Sequence, residues 1–400
     1  MHPDTMRFID RWAGIPLCFF TSLLIWKNKK TGIGAESNDT IVFIGIAEIG
    51  ALVVAYPAIQ EARKQHPQSR ICFITAPAGK QTLELMGFEE KDILLIRTSS
   101  IQNILGDIVK IRNVFKKVRV SAVVLEPFTR FSTLVATWIG ASKRLGCHRF
   151  LAEGVYLGNL LTHRLVYNPH LHASQTYFAL AKLLEEPESV EPTLKEVVAS
   201  QIKNRLKIEI PENEHQILKQ RLQGEISDFS FKKIVLLNAN ASDIVPLRKW
   251  SLSNFVELGK RLLENAEITV VLTGSPEENE ACADLALKID PDRVINFAGK
   301  TTFKELITLY SLSDLLVTND SGPVHFASTT NLPVIALFGP ETPKIFGPMS
   351  PHAKVISLGL ACSPCISVFN QKKSSCTDNQ CMKQITVEMV IQETQKFLRK

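Results

Sequence analysis

Apolar and polar positions along this chain fall into two series of short hydrophobic runs, each run followed by a helical stretch. In the first series IVFIGI (41–46), ICFIT (71–75), Ile93 to Ile96 and AVVLEP (122–127) are almost continuously apolar. Runs of this kind predict strands buried on both faces, as in a parallel sheet. Ala51 to Gln65 and Ile101 to Lys117 read as helices between them. Repeated βα units predict an α/β layer with helices on both faces of the sheet.

Residues 185–232 break the pattern; they are polar, helical in part, and hold Pro187, Pro192 and Pro211. A second series follows, with predicted strands IVLLNA (234–239), ITVVLTG (268–274), VINFAG (294–299), DLLVTND (314–320) and PVIALFG (333–339). Helices are predicted from Trp250 to Glu264, capped by Ser251 or Ser253, from Glu277 to Ile289, from Thr302 to Leu312 and from Val324 to Thr329. The predicted organisation is an apolar N-terminal helix (1–38), a Rossmann-like domain (39–184), a connector with a helical insertion (185–232), a second Rossmann-like domain with a cysteine cluster (233–385) and a C-terminal helix (386–400). Two such domains are expected to face each other across a cleft, because ligands of parallel sheets gather outside the carboxyl ends of the strands.

Composition narrows this reading. A chain of 400 residues is expected to hold two or three domains, and 45% hydrophobic with 22% charged residues is globular. The net charge of +6 is unevenly placed: residues 1–190 hold 22 Lys/Arg against 16 Asp/Glu, and the remainder holds 24 against 24. A basic first half predicts an anionic partner there. No helical nucleic-acid reader is recognisable, so nucleic acid is not an expected partner. Arg112, Lys116 and Arg119 lie within a stretch, 110–119, that has five cations and no acid, and i, i+4, i+7 spacing would put these three on one helical face. That face is either simply solvated or a contact for anionic lipid or acceptor phosphates.

Trp12 to Trp26 is fifteen residues without a charge, too short to span a bilayer comfortably, and Lys27, Lys29 and Lys30 follow it. It reads as a helix lying in or dipping into the inner leaflet, as a helix packed on the protein itself, or as a cleaved signal. The first reading makes the protein cytoplasmic, peripheral or monotopic at the inner membrane.

Neither a GxGxxG after the first strand nor a Walker A segment is present, which weakens dehydrogenase and P-loop readings. Asp290-Pro291-Asp292 has turn composition rather than metal-pair character. NDSGPVH (319–325) ends a strand and opens a helix, so Asp320, Ser321, Gly322 and His325 are either an anion site or an ordinary βα turn. NANASDIVPLRKW (238–250) carries Arg248 and Lys249, cations able to neutralise a diphosphate without a metal. Asn240 and Gly274, on strand-end loops of the same domain, are assigned to the loops that would bind a diphosphate-linked donor. Cys362, Cys365, Cys376 and Cys381 have spacing compatible with a structural zinc site, with labile disulfides or with plain thiols.

Together RKW, VVLTGSPEE, FAGKTTFKEL, TNDSGPVHFAS and PVIALFGPETP resemble glycosyltransferase family 9, the heptosyltransferase family of lipopolysaccharide assembly, over roughly residues 40–390. FTRFS (128–132) and CSPC (362–365) resemble one branch of it. The resemblance implies a GT-B fold and inverting transfer without a catalytic metal. The donor would be a nucleotide-diphospho-sugar, commonly an ADP-activated heptose, on the C-terminal domain. The acceptor would be an anionic glycolipid on the N-terminal one. It places Asp320, Ser321, Gly322 and His325 on the family's diphosphate cradle, with Arg248 where the family often has a phosphate-binding Lys, and puts Arg130 on the acceptor side. One departure stands out. The family's first loop reads Gly-Asp, and that Asp is the proposed base; here it reads Gly50-Ala51, with Glu48 the carboxylate nearby. Either Glu48 is the base or the chain is a non-catalytic sugar-nucleotide- or glycolipid-binding homologue; another GT-B enzyme, such as a nucleotide-sugar epimerase, is the third alternative.

Overall fold

The computed structural model describes residues 9–27, 39–151, 154–189, 191–198, 205–225, 232–241 and 245–399. Lys29 and Lys30, parts of the connector and residues 242–244 of the NANASDIVPLRKW loop lie outside the described residues. The chain forms two compact units. One runs to Asn204 and takes back residues 368–370; the other holds the rest, from Arg205 on.

Each unit contains one six-stranded, wholly parallel sheet. In the first unit the strands are β1 (Thr40–Ile44), β2 (Arg70–Thr75), β3 (Ile93–Leu95), β4 (Val120–Val124), β5 (Lys143–His148) and β6 (His163–Val166), in the order β3-β2-β1-β4-β5-β6. In the second they are β7 (Lys233–Asn238), β8 (Ile268–Leu272), β9 (Val294–Asn296), β10 (Leu315–Asn319), β11 (Val334–Leu337) and β12 (Ala353–Ile356), in the order β12-β11-β10-β7-β8-β9. Read from the other edge, this is the same order, the dinucleotide-binding arrangement with a switch point between its first and fourth strands. The central strands are buried throughout and mostly apolar because helices cover both faces; β1, β8, β10 and β11 have no exposed position.

The predicted helix from Ala51 to Gln65 is two helices, Ile49–Val54 and Tyr56–Gln65, with Pro57 in the first turn of the second. The Asp290 turn forms as expected, its Oδ1 accepting the backbone N–H groups of Asp292 and Arg293.

Before β1, the helix Gly14–Lys27 lies on the helix Arg130–Trp138. Cys18 is fully buried there beside Leu134 and Leu160. Arg130 Nη1 meets Asp10 Oδ2 at 2.6 Å, Arg130 Nε donates to the Tyr156 carbonyl at 3.1 Å, and Ser22 Oγ accepts the Asn159 N–H at 3.0 Å. Gly14 permits the approach, since a Cβ there would fall 2.8 Å from Arg130 Cδ. The opposite face of this helix exposes Phe20 (61%) and Leu24 (62%) together with Phe19 and Leu23. Among the described residues no helix is long and apolar enough to cross a membrane.

Candidate functional site

In the second unit the sheet order reverses between β7 and β10, and loops leaving two such strands diverge to open a crevice. Asn319, the last residue of β10, ties these loops together. Its Oδ1 accepts the Trp250 backbone N–H at 3.0 Å, and its Nδ2 donates to the Ala239 carbonyl at 2.9 Å. A side-chain amide offers acceptor and donor in one small planar group without any change of protonation. Trp250 is anchored in turn: its indole N–H donates to the Ile385 carbonyl at 2.7 Å and its ring meets Phe255 edge-on at 5.0 Å. That anchoring sets the short turn Pro246–Arg248 directly before it.

From this turn Arg248 reaches two carboxylates. Its Nη1 lies 3.7 Å from Asp320 Oδ2 and 3.8 Å from Glu341 Oε2. The three side chains are 13%, 5% and 1% exposed. At these separations the carboxylates attract the guanidinium without hydrogen-bonding Nη1. Its Nε is buried with no hydrogen-bond partner among the described residues. A buried donor on a permanent cation is a place for an anion to dock.

Ser321 occupies the N-cap of the helix Gly322–Ala327, but its side chain does not cap it; Oγ instead donates to the Asn319 carbonyl at 3.3 Å. The helix is only six residues long, and His325 stands on it partly exposed. At the β8 loop, a Cβ on Gly274 would come within 2.9 Å of Asn240 Nδ2, so glycine is what lets these loops approach.

The first unit repeats the switch point, between β1 and β4. After β1 the chain runs through Gly45 to Glu48, the N-cap residue of the helix Ile49–Val54. Glu48 is extended (φ −132°), exposed, and its side chain makes no cap hydrogen bond. The carboxylate that organises this loop is Glu126, two residues past β4. Its Oε1 accepts the Ile46 N–H at 2.8 Å and the Ala47 N–H at 2.5 Å, and its Oε2 accepts the Ser132 hydroxyl. Burial pushes the Glu126 carboxyl above its ordinary range; these three donors oppose the rise and Glu48 adds to it. Burial foremost, then Glu48 and Glu126, also raise the hydroxyl of Tyr177. Phe128, between Glu126 and Ser132, holds a left-handed backbone (φ 57°), with its ring against Tyr167 at 5.6 Å and Phe369 at 5.6 Å.

The model of glycosyltransferase family 9 (heptosyltransferase) matches residues 111–375, more than half of the chain. The chain belongs to glycosyltransferase family 9. It is 34% identical over 172 residues to lipooligosaccharide heptosyltransferase 2 of Campylobacter jejuni, covering 42% of this chain and 52% of that protein. It is 34% identical over 116 residues to lipopolysaccharide heptosyltransferase 2 of Escherichia coli, covering 28% and 33%. In these matches the chain spans about half or less of the relatives' length. The solved structure of E. coli ADP-heptose lps heptosyltransferase II superposes with a TM-score of 0.68 at 22% identity, over 90% of this chain and 98% of that one. A family 9 structure from Veillonella parvula gives 0.68 at 20%. The architecture is therefore the GT-B fold.

Within this family 9 chain the structure brings together Arg248, Asp320 and the unforeseen Glu341, which lies in the PETP segment. Lys249 is exposed beside Arg248. Arg130, expected on the acceptor side, is instead the buried partner of Asp10. The basic helical face does not form. The helix Ile101–Val114 stops because Phe115 turns into the core, leaving Lys116 and Arg119 in the turn before β4 and Arg112 in the last helical turn. These exposed cations therefore stand at the amino end of β4, opposite Glu126. The four clustered cysteines range from exposed Cys362 to buried Cys381, and Cys365 Sγ accepts the Ser374 hydroxyl at 3.2 Å. Among the described residues no three His, Cys, Asp or Glu side chains are placed to share a metal ion. Burial, then the neighbouring thiols of Cys365, Cys376 and Cys362, raise the Cys381 thiol.

Proposed function

We propose that this chain is an inverting, metal-independent glycosyltransferase that moves a heptose-class sugar from an ADP-type nucleotide-diphospho-sugar to a lipopolysaccharide core or related anionic glycolipid. Family membership supports the reaction class. The single observation that carries the donor reading is Arg248, a largely buried guanidinium between Asp320 and Glu341 with its buried Nε unpartnered among the described residues. A diphosphate oxygen would satisfy that donor, with Lys249 and His325 adding cationic or hydrogen-bonding contacts. In the reaction Glu48 takes the proton from the acceptor hydroxyl as its oxygen attacks the anomeric carbon. The bond from that carbon to the diphosphate breaks on the opposite face, and Arg248 stabilises the departing charge.

The exposed Phe20 and Leu24 face supports peripheral attachment at the cytoplasmic side of the inner membrane. An open pocket of about 560 Å³, lined by Phe19, Leu23, His148, Arg149 and Tyr156 among others, adjoins that helix. Whether the four cysteines hold a structural zinc is read directly by metal analysis of the reduced protein.

The test is release of ADP from ADP-heptose in the presence of a heptose-deficient lipopolysaccharide, compared between the wild type and Glu48→Gln. A fall of roughly 10²–10⁴ in turnover with unchanged ADP affinity is the expected result. Wild-type turnover in Glu48→Gln removes Glu48 as base. ADP binding with no transfer by the wild type would favour the non-catalytic reading that Gly50-Ala51 raises.

A further inference from the structure

The β4 loop holds a half-buried carboxylate that the reaction above does not use. Glu126 leaves the carboxyl end of β4 and crosses the switch point to the loop after β1. Its Oε1 takes two backbone donors, Ile46 N–H at 2.8 Å and Ala47 N–H at 2.5 Å. Its Oε2 takes the hydroxyl of Ser132, on the first turn of the helix Arg130–Trp138. The residues joined are about eighty positions apart in sequence. Glu48, at the end of the same loop, makes no cap hydrogen bond to the helix that follows it.

Two roles are open to such a carboxylate. A general base needs a lone pair directed at the substrate hydroxyl. Here both lone pairs of Oε1 are engaged by backbone, and one of the two on Oε2 by Ser132, so three of four acceptor sites are taken. A group with this many fixed donors is built to hold, not to exchange a proton. What it holds is the loop ending at Glu48. The left-handed Phe128, wedged between Tyr167 and Phe369, sets the chain direction that brings Glu126 and Ser132 to the same point.

We propose that Glu126, together with Ser132, is a positioning residue that fixes the Ile46–Glu48 loop and thereby aims the Glu48 carboxylate. This rests on the reading of Glu48 as base, and it assigns the FTRFS segment a task. Arg130 of that segment pins the N-terminal helix through Asp10, and Ser132 locks the catalytic loop through Glu126.

Isosteric replacement separates holding from proton transfer. In Glu126→Gln the amide oxygen still accepts from Ile46 and Ala47, and the amide NH₂ donates to Ser132 Oγ, so a latch survives while a base does not. In Glu126→Ala both backbone donors lose their partner. The expected result is turnover within about threefold of wild type for Glu126→Gln, and a fall of roughly tenfold to a hundredfold for Glu126→Ala, with ADP affinity unchanged in both. Ser132→Ala should fall between them. If Glu126→Gln is as inactive as Glu48→Gln, Glu126 is itself the base and the proposal is wrong. If Glu126→Ala turns over like wild type, no positioning occurs.

A second readout does not depend on catalysis. Amide exchange of Ile46 and Ala47 should quicken in Glu126→Ala and stay slow in Glu126→Gln. Unchanged exchange in Glu126→Ala overturns the latch whatever Glu48 does. Quickened exchange combined with full activity of Glu48→Gln keeps the latch and removes only the base assignment.

Discussion

Asn319 and Trp250 are joined by one hydrogen bond, from the Trp250 backbone N–H to Asn319 Oδ1 at 3.0 Å, and this bond decides where Arg248 stands. Trp250 cannot shift, because its ring fills the core against Phe255 and its indole is bonded to Ile385. Arg248, two residues earlier, inherits that fixed position.

Asn319→Ala is therefore expected to act on both stability and donor binding. It strands the Trp250 N–H and the Ala239 carbonyl in a fully buried place, at about 1–3 kcal/mol for each orphaned group. Thermal unfolding should report the loss, and calorimetry should show weaker ADP binding. Wild-type ADP affinity in a destabilised Asn319→Ala protein would show that the bond serves folding alone.

Arg248→Ala should weaken ADP binding by about ten- to a hundredfold while adenosine binding changes little, since the lost contact is charge-assisted and made to phosphate. The same change leaves Asp320 and Glu341 without their buried cation, so stability should fall as well. Adding Glu341→Gln removes one of the stranded charges. The double variant should regain stability but not ADP affinity. Recovery of affinity would mean that Arg248 only neutralises its neighbours.

Glu126 gives a stability prediction with a definite sign. Its folded carboxyl titrates above the ordinary value, chiefly through burial. Below the unfolded value, about 4.3, both states carry the proton and the group is neutral to stability. As pH rises through the folded value, the folded state must release a proton it binds more tightly than the unfolded chain does, and stability is lost. Glu126→Gln has no such proton. Its melting temperature relative to wild type should therefore rise over the range above about pH 4. A constant difference across that range would mean that the carboxylate is not desolvated.

Much of this architecture is legible in the chain because burial on both faces leaves no room for polar alternation. IVFIGI, ITVVL and PVIALF announce central parallel strands by composition alone. The edges are harder. β5, KRLGCH, carries a buried Arg144 that donates to the Leu160 and Ala141 carbonyls, so a charged residue sits inside a strand with its hydrogen bonds satisfied by loops. β12, AKVI, is a half-exposed edge. Helical spacing carries the cationic helix past Phe115, because spacing alone does not show that this ring is buried. Arg248 and Asp320 follow from cations and acids near strand ends. Glu126 and Glu341 do not: their partners lie in distant loops, and no local spacing marks them.

The Arg130–Asp10 pair predicts a local effect. Arg130 is nearly buried, and removing its partner leaves a cation in an apolar setting. Asp10→Asn should quicken amide exchange across the helix Gly14–Lys27 while the β1–β4 core stays protected. Uniform quickening throughout the first unit would mean that the helix is part of the folding core and not a docked element.

The helix so docked presents Phe20 and Leu24 outward, each more than half exposed, from the face opposite buried Cys18. Water is a poor neighbour for two large apolar side chains only four residues apart, and a bilayer interface offers them a place without unpacking the helix from Arg130–Trp138. Phe20→Asp combined with Leu24→Asp should abolish flotation with vesicles of anionic phospholipid. The melting temperature should stay near wild type, because neither side chain contributes to the buried core. Arg149 is a cation lining the pocket beside this helix, so Arg149→Gln should weaken binding to anionic vesicles while leaving that to neutral vesicles unchanged. If the double aspartate variant floats as well as wild type, this face does not meet the membrane, and attachment must come from elsewhere in the chain.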